Sequence, residues 1–198
     1  MRKLSNIDES MWGGVMDRSA GRTTRNEDYN EFREEFEKIK KMELIEGYGS
    51  RFLWTPCNFG AESYDQPGRY LDYEEIIELN KYLKSTGSDY EIAGDEAFSH
   101  LIGRPFTKEK RGKWWYFIFS WNKDNSNPLY IPNFGYYSMG KMITPTKSDA
   151  FYYGMDWMNK SAGYVVLRNP DNYLTKKIYT LKPTSEDKLQ VRLVKRIS

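Results

Sequence analysis

The spacing of apolar residues changes character once along this chain and does not change back. Before Gly103 the longer apolar segments recur at helical intervals; after it no helical spacing returns. Tyr29, Phe32, Phe36 and Ile39 follow one another at intervals of 3, 4 and 3, which predicts a helix over Asp28–Lys41 with Glu and Lys on its outer side. Glu34 to Lys38 and Glu37 to Lys41 add i,i+4 pairs in the favourable order. Asp72 is placed to cap a second helix over Tyr73–Lys84, with Ile76, Ile77, Leu79, Tyr82 and Leu83 on its apolar side and Gly87 closing it. Gly94-Asp95 opens a third, shorter helix with Ala97, Phe98, Leu101 and Ile102, ended by Gly103. Phe52-Leu53-Trp54 reads as a strand stopped by Pro56. Further strands are predicted at Trp114–Trp121, Leu129–Ile131, Tyr136–Met139, Ala150–Tyr153, Gly163–Arg168, Lys177–Leu181 and Leu189–Lys195, punctuated by Gly, Pro and Asn. Helices early and strands late predict an α+β fold rather than alternating α/β.

The 198 residues fit one domain plus an appendage, or two very small domains. A folded unit of roughly 150 residues buries about two-thirds of the surface its unfolded chain exposes, so it needs no disulfide or metal. The single cysteine, Cys57, allows no intrachain disulfide and fits a reducing compartment. Met1-Arg2-Lys3-Leu4 is followed by polar residues, so no signal peptide is expected, and no apolar run is long enough to span a membrane. The net charge of +2 gives no electrostatic case for nucleic acid.

Residues 1–28 read as an arm. Ser5 can cap a short helix, and Ile7, Met11, Val15 and Met16 fall close to helical spacing beside Trp12. Gly13-Gly14 interrupts it, at about 1 kcal/mol per glycine relative to alanine. A helix this short is marginal alone, so its apolar stripe must pack on something else. A basic, Gly-containing stretch with Arg18, Arg22 and Arg25 follows. The arm is either a frayed terminus or a docking peptide that folds on a partner. In the second case Ile7, Met11, Trp12, Val15, Met16, Arg18, Arg22 and Arg25 are the docking residues. The helix at 29–41 is too short for a coiled coil; it packs on the domain or pairs in an oligomer. The domain proper is then 42–198.

Catalytic chemistry is poorly supplied. An enzyme needs a nucleophile, a base and an orienting group that converge. His100 is the single histidine and reads as a structural residue of the third helix; Cys57 reads as a packed thiol. Zinc-ligand spacings are absent. Asn122, Asp124, Asn125 and Asn127, and again Asn169, Asp171 and Asn172, form oxygen-rich loops with too few acids for calcium, and such clusters are ordinary turn chemistry. No catalytic residue, metal or other cofactor is expected. Lys108, Lys110, Arg111 and Lys113 precede Trp114-Trp115, a mixture that suits either single-stranded nucleic acid or, as the balance of charge favours, a solvated loop leading into a core strand. The aromatics set in polar loops, Trp121, Tyr136, Tyr137, Trp157 and Tyr173, are the ligand-contact candidates, because flat rings stack on sugars and anchor interfaces.

Phe52-Leu53-Trp54-Thr55-Pro56-Cys57-Asn58-Phe59-Gly60-Ala61-Glu62-Ser63 resembles the opening of the Fibrobacter succinogenes major paralogous domain. The resemblance continues in order through the turn Gly68-Arg69-Tyr70, the helix Tyr73–Lys84, Glu96 and Leu101, the strand Tyr130–Tyr137, an aromatic strand at Phe151–Tyr153 or Met155–Trp157, and the closing Val191-Arg192-Leu193-Val194. The chain departs from the family at Tyr90-Glu91-Ile92-Ala93, where Trp-Arg-Leu-Pro is usual. The resemblance implies a C-type-lectin-like fold presenting variable loops for recognition. The arm, from Asp8-Glu9-Ser10-Met11-Trp12-Gly13-Gly14 onward to Glu27-Asp28, resembles N-terminal segments of virion proteins from crAss-like phages of gut Bacteroidetes. Together these imply a virion structural or decoration protein, made in the host cytoplasm, anchored to other virion proteins by residues 1–28. Its lectin-like domain would face a host-surface glycan or protein. The alternative is a cellular lectin-like binding module unrelated to phage. A homo-oligomer is compatible with both; a membrane or nucleic-acid partner is expected in neither.

Overall fold

The computed structural model describes residues 32–46, 50–101, 104–120, 127–144, 149–156, 161–168, 175–179 and 186–197. Along them run the helix α1 (32–39), β1 (Ile45–Glu46), β2 (Phe52–Trp54), α2 (Tyr73–Ser85), β3 (Tyr90–Ile92), α3 (Asp95–Ser99), β4 (Thr107–Arg111) and β5 (Trp114–Phe119). These are followed by β6 (Leu129–Asn133), β7 (Tyr136–Ser138), β8 (Lys141–Ile143), β9 (Asp149–Asp156), β10 (Ser161–Arg168), β11 (Thr175–Tyr179) and β12 (Leu193–Arg196). The strands pair into small antiparallel sheets, so the fold is α+β. No helix among the described residues is long and apolar enough to cross a membrane. The arm lies outside the described residues.

Local signals set α2. The Asp72 carboxylate accepts from Glu74 N at 3.0 Å and Glu75 N at 2.9 Å, and Glu75 returns a carboxylate to Asp72 N at 2.8 Å, a complete capping box. At the far end the Gly87 amide donates to Lys84 O, with Gly87 at φ +64°. Between the caps, Ile76, Leu79 and Leu83 are buried. The stripe of α1 meets them: Phe36 stands edge-on to Tyr82 at 6.1 Å and to Tyr90 at 5.4 Å, and Phe32 edge-on to Phe59 at 6.0 Å.

Non-local pairing sets the central sheet, in the order β1-β2-β12-β3. Trp54 lies opposite Val194 on one side and Ile45 on the other, and Leu193 lies opposite Ile92. Alternation along β12 sends Leu193 toward the α1–α2 cluster and Val194 toward a second cluster with Phe98, Phe117, Phe119 and Ile131. The sheet is therefore covered on both faces, by the two helices and by the sheet β4-β5-β6. Tyr152 of β9 enters the same second cluster; its hydroxyl donates to Pro132 O at 2.7 Å, and burial pushes its pKa up to about 12.

Several expectations change in the structure. The third helix stops at Ser99. Tyr90–Ile92, where the chain departs from the resembled family, is a strand. The lysine-rich stretch is not a solvated loop: Thr107–Arg111 is the edge strand β4, paired along its length with β5. Lys141–Ile143 is also a strand, joined to β7 by the two-residue turn Met139-Gly140, with both residues at positive φ. His100 stands 5.5 Å from Phe52, edge to face. The Cys57 thiol is buried, donates to Ala61 O at 3.2 Å, and is pushed up in pKa by that burial.

Arg192 is fully buried behind this sheet. Its Nη1 donates to Thr55 O at 3.1 Å and its Nη2 to Tyr130 O, so one guanidinium joins the central sheet to β6. Burial pulls its pKa below the ordinary value. Arg192→Ala removes both bonds, orphans two carbonyls and opens a cavity. The expected loss is about 3–5 kcal/mol, read from urea unfolding of the purified chain.

Gly68 sits at φ +73°, and a Cβ there would come 2.4 Å from Phe59 O, which accepts the neighbouring Arg69 amide at 2.9 Å. At Gly87 a Cβ would meet nothing within 4 Å. Gly87→Ala should cost about 1 kcal/mol, the left-handed penalty alone. Gly68→Ala adds a backbone collision and should cost about 3 kcal/mol. Thermal unfolding of the two variants checks the difference; equal losses would contradict the assigned close approach.

Candidate recognition surface

The sheet β4-β5-β6 has one face in the core and one facing out, because alternate residues of β5 point opposite ways. Phe117 and Phe119 point in. Trp114, Tyr116 and Ile118 point out, opposite Arg111, Glu109 and Thr107 of β4 and, for Tyr116 and Ile118, Pro132 and Tyr130 of β6. The segment 58–68 crosses this outer face and lays Tyr64 on it. Tyr64 stacks on Tyr130 with ring centres 4.0 Å apart and planes 12° from parallel.

A single cation closes this cluster. The Arg111 guanidinium stands 5.4 Å from the Tyr64 ring centre, 5.5 Å from Tyr116 and 5.3 Å from Tyr130. It donates to the Tyr64 hydroxyl at 2.6 Å and holds both Glu109 carboxylate oxygens at 2.8 Å. The Glu109 bond, above all, raises the Arg111 pKa, and the same pair lowers that of Glu109. Its aromatic and ionic contacts are thus made within the molecule. Trp114 is half-buried and edge-on to Phe134 at 5.3 Å.

The tip of the hairpin is different. Arg111 and Trp114 are paired across a two-residue link, Gly112-Lys113, with Gly112 at φ +59°. Lys113 Nζ stands 4.4 Å over the Trp114 ring and Lys110 Nζ 5.9 Å over the Trp115 ring. Both lysines are exposed, and the indoles beneath them are half-buried. Cations and rings alternate across the end of a strand pair, on a rigid element rather than on a loop.

Of the contact candidates read from the sequence, Tyr136 and Tyr137 are described and half-buried in β7. Tyr136 packs against the α1–α2 cluster; Tyr137 is bonded through its backbone to Lys188 in both directions and stands edge-on to Tyr70 at 5.1 Å. Trp121, Trp157 and Tyr173 lie outside the described residues, as do Ile7, Met11, Trp12, Val15, Met16, Arg18, Arg22 and Arg25. So do the oxygen-rich loop residues other than Asn127; among the described residues no cluster of three or more His, Cys, Asp or Glu is arranged to hold a metal ion. The structure brings Tyr64 and Tyr130 onto the Arg111 cluster, which sequence spacing did not suggest. The run of lysines before two tryptophans was the visible signal for the hairpin.

No protein-family model, curated protein or solved structure matches this chain. The class that the described residues define is an α+β domain with a doubly covered central sheet and an aromatic, cationic outer face.

If Arg111 pins Tyr64, the two side chains must be energetically coupled. A double-mutant cycle with Tyr64→Ala and Arg111→Ala should give a coupling of about 1 kcal/mol in thermal or urea unfolding. Arg111→Lys should lose part of the stability as well, because lysine lacks the planar fork that meets Glu109 and the rings together. Additive losses would show that the two groups merely adjoin.

Proposed function

We propose that this chain is a recognition module of C-type-lectin type, carried on a phage particle by its first 28 residues. One observation supports the scaffold: strands near the two ends of the domain, Phe52–Trp54 and Leu193–Arg196, pair with each other at the centre of one sheet. Everything between them is an excursion that starts and returns at that pair, so the excursions can vary while the base stays closed. That is the plan expected of a lectin-like domain, and a fold of this kind serves many functions, so the binding role rests on the site. The end of the β4–β5 hairpin offers one, with lysines held over indole rings. The virion attachment rests on the arm: its apolar stripe of Ile7, Met11, Trp12, Val15 and Met16 needs a surface that a segment this short cannot make for itself.

The test is a deletion of residues 1–28, which keeps Phe32, Phe36 and Ile39 of α1 in place. The shortened chain is expected to stay folded, to keep its binding on a glycan array, and to drop out of assembled particles. Incorporation at the full-length level would remove the anchoring role. A blank array for the full chain would remove the recognition role.

A further inference from the structure

The hairpin β4–β5 carries five charged residues between Lys108 and Lys113, and they do not share one fate. Arg111 is consumed by Glu109 and by the tyrosines around it. Lys108, Lys110 and Lys113 make no ion pair with any described residue, so three positive charges stand uncompensated along this hairpin, Lys110 and Lys113 toward its turn and Lys108 farther back. Two of them lie over indole rings, Lys113 at 4.4 Å and Lys110 at 5.9 Å. A lysine resting on an indole is held more narrowly than one in free solution, so it loses less side-chain freedom when it meets an anion. The turn beneath them is short, and a Cβ at Gly112 would meet nothing within 4 Å, so the space beside the turn is open at that residue.

We infer that this tip binds an acidic oligosaccharide, with Lys113 on the outer face of the hairpin and Lys110 on the opposite face taking carboxylate, sulfate or phosphate groups of different sugars as the ligand passes over the end. The inference rests on the recognition role proposed above and names its ligand class. Single-stranded nucleic acid is the competing polyanion and fits less well. It requires a charged groove that follows the backbone and open ring faces for successive bases. Here the charge is confined to one hairpin, the chain as a whole carries only +2, and an ammonium stands over each indole. A saccharide with one acidic group per one or two sugars presents discrete negative charges of the kind that separate point cations can meet.

The experiment uses the full chain and its Lys110→Gln/Lys113→Gln variant. An array carries carboxylated, sulfated and phosphorylated oligosaccharides beside the neutral counterparts of each. The best acidic ligand and a thymidine oligonucleotide then go into titrations at low and moderate salt. The expected result is binding to acidic glycans at least tenfold above their neutral counterparts, weakened by salt, and weakened about tenfold or more in the variant at unchanged thermal stability. Binding to neutral glycans alone, or acidic binding unchanged in the variant, overturns the inference while leaving recognition intact. An empty array overturns both. Tight binding of the oligonucleotide with no glycan bound assigns the tip to nucleic acid instead.

Discussion

The contact between the two ends of the domain is the constraint on which the other elements depend. The Thr55 hydroxyl lies 3.0 Å from Leu193 O, across 138 residues of chain. Closing a loop of that length costs about 4 kcal/mol beyond a constant, and no local signal offsets it. What makes the pairing worthwhile is that both faces of the resulting sheet are apolar and both are covered. Leu193 and Val194 are adjacent, yet they enter different clusters. A slip of one residue would exchange the faces that Leu193 and Val194 occupy, so register is fixed by burial on two sides at once.

A buried guanidinium reinforces the same junction. Arg192 precedes Leu193 and has Thr55 O and Tyr130 O as its acceptors, with no carboxylate paired to it among the described residues. An uncompensated charge in an apolar interior is costly, and burial lowers its pKa accordingly. What it gains is geometric. One planar fork reaches the Thr55 and Tyr130 carbonyls together. The position fixes the distance between the central sheet and β6, and therefore where the outer face of β4-β5-β6 is presented.

The parts of this fold that were legible in the sequence are those whose causes are local. The second helix could be read because its cap, its apolar spacing and its stop are all written within sixteen consecutive positions, Asp72 to Gly87. The short strands β1, β3 and β8 were not read, because two or three residues carry no period and these, unlike the similarly short β2 and β7, do not hold two aromatic residues. β4 was missed for a different reason. Thr-Lys-Glu-Lys-Arg looks like a solvated loop because an edge strand protects its free side with charge, and it is a strand only because β5 supplies the hydrogen bonds. The surface was half legible. Lysines beside Trp114-Trp115 could be seen in the sequence, but that Tyr64 would stack on Tyr130 and share Arg111 with it depends on a loop folding back from a distant segment.

That fold-back decides what kind of surface the sheet can offer. Without Tyr64 over it, the outer face would be a strip of tyrosines open to water, free to adapt to many partners. With the segment 58–68 held down by Gly68 against Phe59 and by Tyr64 against Arg111, the middle of the strip is closed. Lys113, over Trp114, lies at the hairpin end beside this closed part. Adjacent residues of β4 then play opposite parts: Arg111 spends its charge on the fold, while Lys110, pointing the other way, keeps its own. Strand alternation, which places one of these side chains on each face, is the physical cause of that division. It lets a single five-residue strand stabilise the domain with one side chain and expose a fixed cation with the next.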